Sequence, residues 1–223
     1  PGDPMKRIDW NATARVQRLQ SRLYEPSRAQ SIVVALNVGT FQHSWQGTDP
    51  VILERGVSVA ASVARWAAEA DLAVGLIANG AFPGQGRPIR IGVGQHPDRL
   101  NRILEALAAV SAFTMSSLAR ELEGASTGAL PAGSTVVVVA AVMPDELAAT
   151  LLRLRGDGHY VQVVKTSERE WDANLGRIPV TDVSAFMASE EAATALELAA
   201  DELASQSETA PAGIAAADVA VIG

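Results

Sequence analysis

The run Ile32-Val33-Val34-Ala35-Leu36 constrains this chain more than any other stretch. It is apolar without interruption, β-branched at three of its five positions, and ends at Asn37-Val38-Gly39. An apolar run with no polar alternation reads as a strand covered on both faces, which places it at the centre of a parallel sheet. In open α/β sheets the ligand crevice lies outside the carboxyl ends of the strands. Residues 37–41, Asn37-Val38-Gly39-Thr40-Phe41, are therefore the first place to look for a site.

The rest of the chain supplies partners for such a strand. Asp49 as N-cap and Pro50 at the first helical position predict a helix reaching about Glu69, with Ile52, Val59, Val63 and Trp66 on its buried face. Residues 72–78 read as a second strand ended by Asn79-Gly80, and 89–93 as a short third one. His96-Pro97-Asp98 opens a helix with Leu100, Ile103, Leu104 and Leu107 at helical spacing, and 116–123 reads as another helical stretch. Residues 134–142 are nearly pure Val and Ala, again a doubly buried strand. Pro144-Asp145-Glu146 starts a helix carrying Leu147, Leu151 and Leu154, and Gly156-Asp157-Gly158 stops it. Strands at 160–165 and 178–183 flank a loop with Trp171, and an acidic last helix is expected from 189 to about 205. This order predicts an α/β fold, a doubly wound, mostly parallel sheet with helices on both faces and one short antiparallel edge strand.

Three regions follow: a basic N-terminal arm at 1–30, an α/β domain at 31–205, and an Ala/Ser/Pro/Gly-rich tail at 206–223 expected to be mobile. The arm carries Lys6, Arg7, Arg15, Arg18 and Arg22 in a protein whose net charge is −7. Its Ile8, Trp10, Leu19 and Tyr24 are expected to pack on the domain, and its cations form a candidate contact surface for a partner. The overall acidity argues against nucleic acid as a ligand. Cys is absent, which excludes disulfides and thiolate metal sites. No apolar segment reaches the ~18–20 residues of a membrane helix. The chain starts at Pro1 without an initiating Met, and is expected to be a piece of a longer protein.

Gly2-Asp3-Pro4, Arg7-Ile8-Asp9-Trp10, Ala14-Arg15, Leu19 and Tyr24-Glu25-Pro26, standing before an apolar strand, resemble the signature of domain of unknown function 58. The resemblance is dense over residues 2–41 and rests on element order from 42 to about 183. It implies a von Willebrand factor A-like fold and, as partner, a MoxR-type AAA ATPase. Many members carry two membrane helices ahead of the segment seen here, so the full-length protein is expected to be membrane-anchored upstream of residue 1.

That fold commonly holds a divalent cation at a metal-ion-dependent adhesion site. The site is made by Asp-x-Ser-x-Ser in the first loop, a Thr from a later loop, and an Asp after the fourth strand. The corresponding positions here are Asn37, Gly39 and Phe41, then Thr114, then Ala141, with Asp145 four residues further on. Hard cations take oxygen ligands, and carboxylates offset the cost of stripping their water. The motif as it stands is expected to bind no metal and to need no cofactor. Asn37, Gly39, Thr40, Phe41 and Thr114 are instead candidates for a partner-contact surface, with Phe41 as an exposed apolar anchor.

Catalytic residues are not evident. His43, His96 and His159 fall in three separate loops, no Ser stands in a Gly-x-Ser-x-Gly elbow, and Asp145-Glu146 is explained by its place at a helix N-terminus. The favoured reading is a non-enzymatic protein-interaction module working with a MoxR-type ATPase in an assembly or chaperone-like complex. The alternative is an enzyme or small-ligand binder using the same crevice. A deep polar pocket at Asn37 with His43 turned inward would favour the alternative.

Overall fold

The computed structural model describes residues 31–82, 86–126 and 130–191. The basic arm with Lys6, Arg7, Arg15, Arg18 and Arg22, the tail at 206–223 and the stretch 192–205 expected to continue the last helix lie outside the described residues. The elements are β1 (Ser31–Leu36), α1 (Pro50–Glu69), β2 (Ala73–Ala81), β3 (Pro88–Gly94), α2 (Pro97–Ala108) and α3 (Leu118–Ser126). There follow β4 (Thr135–Ala140), α4 (Asp145–Gly156), β5 (Tyr160–Lys165) and β6 (Val180–Asp182). A final helix, α5, is described over residues 184–191.

The six strands form one sheet in the order β3-β2-β1-β4-β5-β6. All neighbours are parallel except β2 and β3. β1 is central, as its unbroken apolar run requires, and is covered on both sides. Val33 and Ala35 face α3 and α4 through Leu118, Leu122, Leu147 and Leu151. Ile32, Val34 and Leu36 face α1 and α2 through Ala60, Ala64, Ile103 and Leu107. This is the doubly wound, mostly parallel α/β arrangement, with one antiparallel edge strand, that the element order leads one to expect. The chain winds from β1 outward to β3, returns, and winds outward again from β4. The switch point is therefore the seam between the carboxyl ends of β1 and β4. No helix among the described residues is long and apolar enough to cross a membrane.

Several expectations need correction. β2 does not stop before Asn79-Gly80 but runs through both to Ala81, buried throughout. The buried stripe of α1 is Gly56, Ala60, Ala64 and Ala67, while Trp66 is 57% exposed. Small residues let this helix lie close on the sheet, so Val59 and Val63 only flank the contact. β6 is shorter than residues 178–183. The last helix starts at 184 and not 189, because Asp182 Oδ1 accepts from both the backbone N–H of Ser184 (2.9 Å) and its hydroxyl (2.6 Å).

Candidate functional site

Asn37 leaves β1 at the switch point and is buried with its polar atoms paired. Its Oδ1 accepts from Asn79 Nδ2 at 3.1 Å and from the N–H of Gly39 at 3.2 Å. Its Nδ2 donates to the carbonyl of Val142 at 3.4 Å, and its backbone N–H to Val139 at 2.9 Å, which ties the ends of β1 and β4. Asn79 completes the knot from β2. Its Oδ1 accepts from the N–H of Val38 at 2.9 Å, and its Nδ2 also donates to the carbonyl of Ser116 at 3.2 Å. A pair of amides thus joins three loops to β2 through neutral hydrogen bonds. Asn79 was missed in the sequence because it was read as a turn residue next to Gly80.

The other predicted site residues separate. Thr40 is not a surface group: it is 1% exposed, and its Oγ1 accepts from the N–H of Asp49 at 2.7 Å, holding the start of α1. Phe41 is not an exposed anchor either. It is half-buried, with the Arg169 guanidinium 4.1 Å from its ring centre. Thr114 is exposed and bridges Gly80 through its backbone. Gly39 lines the same cleft as Asn37.

That cleft has a volume of about 660 Å³ and opens at the carboxyl ends of the strands. Asn37 and Asn79 line its floor, and Phe41, Phe113, Met115, Val142 and Leu147 supply apolar surface. Glu146, at the start of α4, is the one ionisable side chain among its lining residues. Phe113 is 79% exposed and Met115 47%, and Trp45, in the loop following β1, is 82% exposed. These three were not singled out in the sequence. Isolated aromatics in loops carry no periodic signal.

The loop 111–117 that presents Phe113 and Met115 is held on every side. The N–H of Ser111 donates to the carbonyl of Ala81 at 2.9 Å, and that of Met115 to Asn79 at 2.9 Å. Thr48 Oγ1 donates to the carbonyl of Ala112 at 3.0 Å. Ser116 Oγ donates to Glu121 Oε1 at 2.5 Å, and the buried Glu121 is paired with Arg90 of β3 at 2.7 Å. Gly80 permits this seat: a Cβ there would stand 2.7 Å from the carbonyl of Ser111 and 2.7 Å from the Val110 side chain.

The position expected to hold the far carboxylate of a metal site is Ala141, buried, with its carbonyl accepting from Ser167 Oγ (2.5 Å) and Trp171 Nε1 (3.1 Å). At the positions expected to hold metal ligands, the side chains are therefore an amide already bonded to Asn79, an exposed Thr and an Ala, with no carboxylate. Among the described residues no group of three or more His, Asp or Glu converges. Of the histidines, His96 caps α2, and His43 stacks on Trp45 outside the cleft at 5.8 Å between centroids. His159 Nδ1 lies 3.1 Å from Ser134 Oγ. That pair sits at the amino ends of β4 and β5, and Ser134 is buried, so it joins two turns with no access for a substrate.

Compared with known proteins, residues 1–204 match the family model described as "Protein of unknown function DUF58". No curated protein matches the sequence. Among solved structures, the pilus adhesin SpaC from Lactobacillus rhamnosus GG is 11% identical, with 74% of this chain and 30% of that chain covered and a TM-score of 0.48. The conserved hypothetical protein BatB from Bacteroides thetaiotaomicron is 11% identical over 61% of this chain and 66% of that one, TM-score 0.43. An aerotolerance-related membrane protein from Bacteroides fragilis NCTC 9343 is 14% identical over 66% and 77%, TM-score 0.41. The chain thus spans less than a third of the adhesin's length and 66% of that of BatB.

Proposed function

As the chain belongs to the DUF58 family, we propose that it is a non-enzymatic protein-interaction module that docks a partner at the strand-end cleft, without a bound metal. A MoxR-type AAA ATPase is the partner we expect, in an assembly or chaperone-like complex. The observation that carries this reading is the loop 111–117, which holds Phe113 and Met115 out in water on a hydrogen-bonded seat. An apolar side chain exposed on a fixed loop loses little conformational freedom on binding, and such anchors dominate interface energies. The neutral Asn37–Asn79 knot supports the absence of metal, since a 2+ ion would have to displace bonds already made while gaining no carboxylate from these two residues.

One observation favours the alternative of a small-ligand site: the cleft volume falls within the range typical of such pockets. The second criterion set for that alternative goes the other way, as His43 is turned out of the cleft. The test is binding of a MoxR-type AAA ATPase, followed by biolayer interferometry against the wild-type chain and Phe113→Ser. The expected result is a loss of affinity of about tenfold or more, the usual size for an anchor residue. Equal binding by both would refute the cleft as the docking surface.

A further inference from the structure

We infer that the segment of the partner that enters the strand-end cleft carries an apolar side chain flanked by lysine or arginine; this rests on the reading of the cleft as a docking surface. The apolar half follows from the lining just described. The charge half comes from what surrounds it. Glu146 lines the cleft, and no Lys or Arg does. The loops leaving β4 and β5, which share this end of the sheet, add Asp145, Glu168, Glu170 and Asp172, all exposed. Of the two cations after β5, Arg169 has its guanidinium laid on the ring of Phe41, and Arg177 lies late in that loop, where its carbonyl accepts from Arg155 near the end of α4. Glu168 lies near enough to Arg55 to favour that residue's charged form, so part of its charge is balanced from within.

Glu146 gives the edge of the cleft a negative charge, beside apolar side chains and a floor of amides bonded to each other. An acidic peptide would meet repulsion from Glu146, and Arg169, the cation beside a lining residue, is already laid on Phe41. A cationic residue beside the anchor would meet Glu146 at the edge of the cleft, where the interaction is solvent-exposed and screened by salt. Such rim charges act mainly on association rate and on the choice of partner, while the apolar anchor sets the affinity.

The test is selection of a displayed random dodecapeptide library on the full 223-residue chain, with selected peptides synthesised and titrated against wild type, Phe113→Ser and Glu146→Lys. Both substituted side chains are exposed, and circular dichroism melts establish that the variants are folded. The expected result is enrichment of sequences with an aromatic or long aliphatic residue next to Lys or Arg. Their binding should fall about tenfold or more with Phe113→Ser, and severalfold with Glu146→Lys or on raising salt from 50 to 300 mM, about the effect of screening one rim pair. Selected peptides that depend on Phe113 but show no basic bias and no response to Glu146→Lys would overturn the charge inference and leave the docking surface standing. Selection of nothing that Phe113→Ser abolishes would overturn both.

Discussion

Asn79 is the residue on which the site depends most. Its amide holds the N–H of Val38, Oδ1 of Asn37 and the carbonyl of Ser116 together, all inside the protein. Replacing it with Ala leaves the buried N–H of Val38 without its acceptor and takes one of two donors from Asn37 Oδ1, and unmet buried groups cost about 1–3 kcal/mol. Asn79→Ala should therefore lower the unfolding free energy by about 2–3 kcal/mol in urea titration, and an unchanged midpoint would show that the knot is not structural. Asp182 offers a second test at this scale. Its carboxylate accepts from the Ser184 hydroxyl, then from the Ser184 N–H, and pairs with Lys165 at 3.0 Å, which holds its pKa down to about 2. A carboxyl depressed in the folded state stabilises fully above its unfolded pKa of about 4, and that contribution disappears as pH falls toward 2. Because the side chain is half-exposed, the contribution is about 1 kcal/mol or less. The stability difference between wild type and Asp182→Asn should be present at pH 7 and shrink between pH 4 and 2. A difference that stays constant over that range would contradict the assignment.

Two elements carry predictions of their own. α1 packs its stripe of Gly56, Ala60, Ala64 and Ala67 against the sheet, and Ala64 is wholly buried. Ala64→Leu should cost about 1–3 kcal/mol by overpacking, while Trp66→Ser on the exposed face should change stability by no more than about 0.5 kcal/mol. Comparable effects at the two positions would mean that the helix is rotated from the face described. The seat of the loop 111–117 depends on close approach at Gly80, so Gly80→Ala should displace the loop and weaken partner binding through Phe113 without touching Phe113 itself. Unaltered binding in a folded Gly80→Ala protein would show that the loop tolerates the methyl group. The strands β1 and β4 were legible because doubly buried strands are written as unbroken apolar runs, and the start of α1 because Asp49-Pro50 has one local explanation. The face of α1 was not legible. Periodicity assigns the largest apolar residues inward, and only the sheet decides that small ones belong there. Asn79 was misread for a similar reason: Asn-Gly favours a turn locally, and tertiary bonds from Asn37 and Ser116 keep it in β2.

For the whole molecule, the order β3-β2-β1-β4-β5-β6 puts the carboxyl ends of β1, β2 and β4 at one end, where the loop between α2 and α3 is seated on β2, and this is what gathers Asn37, Asn79, Phe113 and Glu146 around a single cleft. Their sequence positions alone gave Asn37 as a candidate but not its partners, because the gathering is a property of topology. The same layout leaves a neutral amide knot at the end of β1, so isothermal titration with millimolar Mg²⁺ or Mn²⁺ should give no saturable heat; saturable binding lost on Asn37→Ala would point instead to a metal-dependent mechanism. The central claim, that the strand-end cleft is where a protein partner docks, is tested most directly by hydroxyl-radical footprinting of the chain alone and with the partner proposed above, a MoxR-type ATPase. Phe113 and Met115 at the cleft and Trp66 on the outer face of α1 are all exposed and readily oxidised in the free chain. In the complex, oxidation of Phe113 and Met115 should fall while that of Trp66 is unchanged; protection of Trp66 with Phe113 and Met115 still fully oxidised would contradict the account.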